Sequence, residues 1–215
     1  MNKSIADSTQ WTYKKVKMAI CVPTRDLIHS HFAFCLAQLY KTTSEIGIET
    51  YLFFDSGTVL LNQREHLVKM AKDVEADYIL WLDSDMVFPS TTAIRLLNHN
   101  RDVVACNYMK RTKPLNTVAY VDTNDWESWV PLIRQDGLIK VQGVGMGCML
   151  MKTNLFDDLR KPYFEFTYTD KTGDWIGEDF TLQQKLQNIG YEIYIDTILS
   201  MEIKHMGIQA FGTNE

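Results

Sequence analysis

The chain has 215 residues, of which 46% are hydrophobic and 23% charged, with a net charge of −5. That balance is ordinary for a globular protein long enough to bury a sizeable core, and it argues against a broad nucleic-acid footprint while leaving room for a local basic patch. No apolar run approaches the roughly 20 residues that span a bilayer, and the opening MNKSIADSTQ lacks a signal-peptide core, so the protein is expected to stay in the cytoplasm where it is made.

After a polar lead of about sixteen residues, Met18-Ala19-Ile20-Cys21-Val22 predicts a short buried strand that breaks at Pro23-Thr24-Arg25-Asp26. A helix is expected from about Ser30 to Thr42. A second strand, Glu49 to Phe54, ends at Asp55-Ser56-Gly57, and an amphipathic segment follows from about Leu60 to Glu75. The run Tyr78-Ile79-Leu80-Trp81-Leu82 then reads as a strand buried on both faces. Strands and helices alternating at this spacing indicate a parallel sheet with right-handed crossovers. Three successive strands therefore end in polar residues at one sheet edge, where open α/β sheets bind their ligands.

Beyond Arg101 the pattern changes. Val103 to Tyr108 predicts another strand, and Leu115 to Val121, Trp129 to Ile133 and Leu138 to Val141 predict shorter ones separated by Asp, Asn and Gly. Gly143-Val144-Gly145-Met146-Gly147 opens into Cys148-Met149-Leu150-Met151-Lys152, and a helix is expected over Phe180 to Leu186, ending before Gly190. Tyr191 to Asp196 is a last strand. With no linker, repeat or low-complexity tract, both halves are expected to pack as one continuous domain, residues 1 to 215. Cys21, Cys35, Cys106 and Cys148 lie far apart in apolar segments, as expected for buried free thiols in a reducing compartment.

The chemistry concentrates where the third strand stops, at Asp83-Ser84-Asp85. Two carboxylates one residue apart repel each other and lose hydration, which a divalent cation bridging them to another anion relieves. Hard oxygen ligands suit Mg²⁺ or Mn²⁺, which commonly complete their shells with substrate phosphates. The alternative is an Asp-rich turn that caps a helix beginning near Pro89.

The glycine cluster at 143–147 precedes a strand rather than opening a helix, so it does not fit a dinucleotide fingerprint. It allows either close approach of a ligand or neighbouring strand, or a tight turn. In Asp174-Trp175-Ile176-Gly177-Glu178-Asp179, the final two acids stand at a helix amino terminus, favoured there by the macrodipole and equally suited to a pre-positioned catalytic carboxylate. Late in the chain, His205 in Lys204-His205-Met206-Gly207 is a candidate third metal ligand through a neutral imidazole nitrogen.

In this order, Asp-X-Asp after a buried strand, a Gly-rich segment running into Cys-Met-Leu-Met-Lys, Gly-Glu-Asp opening a helix and a late His-X-Gly, the chain resembles the GT-A fold glycosyltransferases over roughly residues 18 to 207. In size it is also similar to small glycosyltransferases encoded by large DNA viruses and phages, chlorella viruses among them, which would place it in a host cytoplasm. The resemblance implies an α/β fold: a single GT-A-like domain with a Rossmann-like nucleotide-binding half (about 18 to 108), a mixed central sheet and a smaller antiparallel acceptor-side region (about 109 to 207). It implies a metal-dependent hexosyltransferase using Mn²⁺ or Mg²⁺, a UDP-sugar donor with UDP-glucose the first candidate, and a glycan or glycoprotein acceptor. Asp85 and His205 would ligate the metal, and Asp83 would contact the donor ribose, or the metal through water. Ser84 lies between the two acids, on the donor. Pro23, Thr24, Arg25 and Asp55 match positions that hold base and ribose, and Arg64 one that faces base or diphosphate. Glu178 and Asp179 match the acidic pair near the donor sugar and acceptor hydroxyl.

Physical chemistry agrees with this reading. Cleaving a sugar–phosphate bond builds negative charge on the diphosphate, which a divalent ion stabilises, and positive charge at the anomeric carbon, which carboxylates favour. In an inverting reaction Asp179 would be the general base; in a retaining one the same carboxylates would orient the donor. Trp126, Trp129, Tyr163, Tyr168 and Trp175 are candidates for stacking on an acceptor sugar. Two other classes compete. A haloacid-dehalogenase-like phosphatase fits Asp83-Ser84-Asp85-Met86-Val87 but carries that motif on its first strand, and a non-catalytic nucleotide-sugar binding module would not need Glu178-Asp179.

Overall fold

A computed structural model describes residues 16–112, 114–122, 130–131, 137–170 and 173–207. Its centre is a seven-stranded mixed sheet to which both halves of the chain contribute. The first three strands are β1 (Lys17–Thr24), β2 (Glu49–Ser56) and β3 (Tyr78–Leu82). β1 is buried along almost its whole length and β3 throughout, as their unbroken apolar runs require, whereas β2 alternates because it forms a sheet edge. Helices α1 (Ser30–Glu45) and α2 (Leu60–Asp73) connect them. α1 buries Phe32, Leu36, Leu39 and Thr43, a stripe at helical spacing.

Next come a two-residue strand, β4 (Met86–Val87), helix α3 (Thr92–Asn98) and strand β5 (Val103–Ala105). β6 (Ala119–Tyr120), β7 (Leu138–Val141), β8 (Gly143–Val144) and β9 (Cys148–Lys152) follow. A 3-10 turn at Thr153–Asp157 leads to a hairpin of β10 (Thr167–Thr169) and β11 (Asp174–Ile176). The chain closes with α4 (Glu178–Asn188), β12 (Ile193–Asp196), α5 (Thr197–Ser200) and β13 (Lys204–His205).

The central sheet runs β2-β1-β3-β9-β5-β12-β7. β1, β2 and β3 are parallel, β9 lies antiparallel between β3 and β5, and β12 is parallel to β5 and antiparallel to β7. This is the arrangement that the resemblance implied, with a Rossmann-like half, a mixed sheet and small antiparallel pairs beyond it. Register then places the polar strand ends: Thr24 lies opposite Ser56, and Cys21 opposite Trp81 brings Asp83 level with Pro23.

Three expectations need correction. The strand expected over Val103 to Tyr108 ends at Ala105, because the buried Asn107 leaves the ladder: its amide donates to the Val130 carbonyl at 2.8 Å and accepts from Val118 and Ala119 N–H. The strand expected over Leu115 to Val121 shrinks to β6, preceded by an isolated bridge between Met109 and Thr117. The β10–β11 hairpin was not expected, since its exposed residues give no buried alternation. Most of the segment from Trp129 to Ile133 lies outside the described residues, as do Trp126 and Trp129. All four cysteines are free thiols, as expected.

Candidate active site

The carboxyl ends of β1 and β3 floor a cleft of about 510 Å³ lined by Pro23, Thr24, Arg25, Asp83, Ser84, Asp85, Arg111 and His205, with Gly57, Thr58, Leu60 and Gln63 on the β2 side. Most of the residues that the sequence pointed to therefore meet. The turn at 83–86 is closed by Met86 N–H donating to the Asp83 carbonyl at 3.1 Å, which presents both acids at the end of β3. β13 pairs antiparallel with β4, His205 opposite Met86, and Met206 N–H donates to the Asp85 carbonyl at 2.8 Å. Two very short strands thus deliver His205, 120 positions away in sequence, to Asp85.

His205 Nε2 lies 3.5 Å from Asp85 Oδ1, while its Nδ1 lies 3.2 Å from the Met109 carbonyl, and Tyr108 packs edge-on against the ring. A carbonyl only accepts, so Nδ1 is the donor there and Nε2 is the ring nitrogen left to face the carboxylate. Arg111 Nη1 holds the other oxygen, Asp85 Oδ2, at 2.7 Å. Burial pushes the Asp85 carboxyl up, but His205 and Arg111 outweigh it and hold the carboxyl below its usual range. Asp83 responds in the opposite sense: burial raises it, Asp85 adds to the rise, and Arg64 opposes it.

The donor set fits a hard divalent cation. Among the described residues no group of three or more His, Cys, Asp or Glu side chains closes into a cage. Mg²⁺ and Mn²⁺ do not need one, because they take one or two carboxylates and fill the rest of the shell with water and phosphate. A ring nitrogen and a carboxylate oxygen that face each other at 3.5 Å converge on a point where a proton or a metal ion can be shared by both.

Arg64 and Glu178 occupy other places than the resemblance implied. Arg64 is buried beneath the cleft, with Nη2 3.6 Å from Asp83 and Nη1 3.2 Å from Glu178, so it faces the protein's own carboxylates rather than a base or diphosphate. Its ring-face neighbour is Phe164, 5.9 Å away, and its Nε has no hydrogen-bond partner among the described residues. Glu178 is correspondingly buried and lines neither cavity of the site. Asp55 is also turned aside: its carboxylate meets His66 Nδ1 at 2.9 Å, and only its carbonyl faces inward, accepting from Gln63 Nε2 at 2.7 Å. Gln63 Nε2 also donates to the Thr24 carbonyl, so one amide ties together the ends of β1 and β2.

Asp179 does reach open space. It belongs to a second cavity, of about 310 Å³, with Lys110, Tyr120, Asp174, Trp175 and Phe180. Burial and the adjoining Glu178 carboxylate push the Asp179 carboxyl up to about 7. Gln183 fixes this helix start against β8, its amide accepting from Val144 N–H at 3.0 Å and donating to the Val144 and Asp179 carbonyls. Of the aromatic candidates, Trp175 (65% exposed) and Tyr168 (50%) form an edge-to-face pair on the hairpin, whereas Tyr163 is a core residue packed on Phe156.

The glycine cluster resolves into close approach between parts of the protein. A Cβ at Gly145 or Gly147 would fall 2.6 or 2.5 Å from the Tyr108 hydroxyl, and one at Gly147 also 3.2 Å from Asp83 Oδ2. Gly147 N–H donates to that hydroxyl at 2.9 Å.

No protein-family model matches the chain, and no curated protein sequence does either. Solved structures do match. A197 from STIV aligns over 93% of this chain and all of its own, with a TM-score of 0.55 and 16% identity. A glycosyltransferase involved in the glycosylation of the major capsid of PBCV-1 aligns over 90% of this chain and 94% of its own, at a TM-score of 0.47 and 13% identity. A nucleotide-diphospho-sugar transferase from Desulfovibrio desulfuricans G20 aligns over 84% and 79%, at 0.41 and 10%. The chain shares its fold with the first of these; at such identities the chemistry has to be argued from the site.

Sequence reasoning passed over Arg111, Gln63 and Lys110. Arg111 carried a weak signal, a Lys-Arg pair just past a strand expected to end at the ligand edge. Gln63 carried none, because nothing distinguishes a buried amide from a solvated one on an amphipathic helix.

Proposed function

We propose that this protein is a metal-dependent glycosyltransferase that moves a sugar from a nucleotide donor, a UDP-sugar with UDP-glucose first, to a hydroxyl of a glycan. The observation that carries the reading is the meeting of Asp85 and His205, 3.5 Å apart, in one cleft with Thr24, Arg25 and Asp83, beside a second cavity that holds Asp179.

In this reading Asp85 and His205 hold Mn²⁺ or Mg²⁺, with the Met109 carbonyl fixing the imidazole tautomer. When bound, the ion supplies Lewis acidity for the charge that builds on the diphosphate. Pro23, Thr24 and Arg25 hold the nucleoside at the end of β1, and Thr24 Oγ1 keeps the following turn in place by donating to the Leu27 carbonyl at 3.2 Å. Asp83 and Ser84 lie between nucleotide and sugar. The bond from the anomeric carbon to the diphosphate oxygen breaks with its electron pair leaving on UDP, the acceptor oxygen bonds to that carbon, and its proton passes to Asp179. A carboxylate raised to about 7 is matched to that task, and a base on the acceptor side serves inversion of configuration. Trp175 and Tyr168 offer the aromatic faces on which an acceptor sugar stacks.

A pure binding module has no use for a raised carboxyl in a second cavity, and the topology disfavours the phosphatase reading, since among the described residues Asp83 follows the third strand and not the first. The test is a panel of nucleotide sugars assayed with and without Mn²⁺ for thermal stabilisation and donor hydrolysis. Metal-dependent stabilisation by UDP together with slow UDP-sugar hydrolysis is expected. Stabilisation by no nucleotide in any metal would overturn the proposal.

A further inference from the structure

The cation that Asp85 meets in this structure is Arg111. Its Nη1 lies 2.7 Å from Asp85 Oδ2 and 3.3 Å from the Met206 carbonyl, and its aliphatic stem runs over Gly207, where a Cβ would lie 3.4 Å from Cδ. His205 faces one carboxylate oxygen as a prospective co-ligand and Arg111 holds the other, so an incoming ion must share Asp85 with a guanidinium that already neutralises it. The two partners differ in how firmly they are placed. His205 is 15% exposed and anchored by β13, whereas the Arg111 side chain is 50% exposed and belongs to the connection between β5 and β6. Such a half-solvated pair is weak and can be exchanged.

We infer that Arg111 is a built-in counter-ion that occupies Asp85 until nucleotide arrives, then yields the carboxylate to the divalent ion and turns to the diphosphate. The inference rests on the proposed metal and nucleotide site and adds to it an order of events. A guanidinium stays charged at all working pH values and matches phosphate oxygens in a planar fork, so its new position is as favourable as its old one only when a diphosphate is present. Arg111 already lines the cleft that also contains Thr24 and Arg25, so the turn it must make is local. Its neighbour Lys110 lines the cavity of Asp179 and not this cleft. Metal and nucleotide should accordingly bind cooperatively: the ion alone competes with Arg111, and the nucleotide removes the competitor.

The experiment is calorimetric titration of the full chain and of Arg111→Met, first with Mn²⁺ alone and then with UDP at saturating Mn²⁺. The expected effects have opposite signs. Mn²⁺ alone should bind the variant about two- to fivefold more tightly, the worth of the ion pair removed, while UDP should bind about 10- to 100-fold more weakly for loss of a charge-assisted contact. Arg111→Lys, which keeps the charge without the fork, should lie between. A variant that loses affinity for both, or changes neither, overturns the inference while metal-dependent UDP binding by the unmodified chain leaves the broader reading standing. Failure of the unmodified chain to bind UDP in any metal removes both.

Discussion

Arg64 Nη1 and Glu178 Oε1 lie 3.2 Å apart, with only 4% and 9% of their side chains exposed, so helices α2 and α4 are joined by a buried ion pair beneath the site. The same guanidinium also faces Asp83, but that side chain is 33% exposed to the cleft, so removing Arg64 strands chiefly the buried Glu178 carboxylate. Arg64→Met is expected to cost about 3–5 kcal/mol, because breaking such a pair leaves uncompensated charge. Combining it with Glu178→Leu should recover most of the loss. Urea and thermal denaturation of the single and double variants measure the coupling; additive losses would show that the pair does not act as one unit.

Asp85→Ala should leave the fold intact and abolish the metal dependence of UDP binding. The carboxylate is 18% exposed at the cleft wall with its pKa held low, so its removal takes charge from the cleft without opening the core. UDP affinity in Mn²⁺ is expected to fall at least about 10-fold, the lower end of what even outer-shell substitutions at metal sites cost. His205→Ala should act in the same direction. Calorimetry with and without Mn²⁺ checks both, and an unchanged metal requirement in Asp85→Ala would remove that residue from the site.

Asp179→Asn separates catalysis from capping. As the base, Asp179 should contribute about 10²- to 10⁴-fold to turnover, with UDP affinity unaffected, whereas Asn is itself a good residue at a helix start and would preserve a purely structural role. The pH dependence has a definite sign. With the carboxyl at about 7 in the folded chain against an ordinary 3.8, the folded state binds more protons between those values. Stability contributed by the protonated form is therefore present at low pH and lost as pH rises through about 7. The Asn variant should melt above the unmodified chain at pH 8, and that advantage should vanish toward pH 4. Its kcat/KM should also lose the rise through about pH 7 expected of the free enzyme.

Trp175→Ala should raise KM for a sugar acceptor by about 10-fold or more, the worth of an aromatic face buried against a ligand, and leave donor hydrolysis unchanged. The residue is 65% exposed and packs on Tyr168, so the loss should be one of binding and not of fold. Transfer and hydrolysis measured on one preparation distinguish the two, and equal effects on both would refute a role confined to the acceptor.

The sequence made the first half of the sheet legible because burial there is one-dimensional. A run such as Tyr78 to Leu82 can only be a central strand, and the polar residue that ends it can only lie at the sheet edge. Asp83, Asp85 and their neighbours Pro23 to Arg25 followed directly. Residues whose role depends on a distant partner were not legible. Arg64 and Glu178 are 114 positions apart, and their pairing, which removes both from substrate, is invisible until α2 and α4 are packed. Asp55 looked like Asp83, a carboxylate after a strand, but His66, the seventh residue of α2, captures it. The glycines at 145 and 147 were recognisable as sites of close approach, yet what approaches, Tyr108, comes from a loop whose course Asn107 sets.

The antiparallel course of β9 has a consequence for how the chain comes together. Inserted between β3 and β5, it supplies the hydrogen-bonding partner on one flank of each, so the first hundred residues cannot complete their sheet until residues 148–152 have been made. β12 repeats the pattern by closing β5 from the far end of the chain. Most sheet pairings beyond β3 are therefore long-range, which predicts slow, cooperative folding with one unfolding transition and no autonomously stable amino-terminal fragment. Cutting the chain before β9 would leave β3, the strand that ends at Asp83, without its partner on one flank.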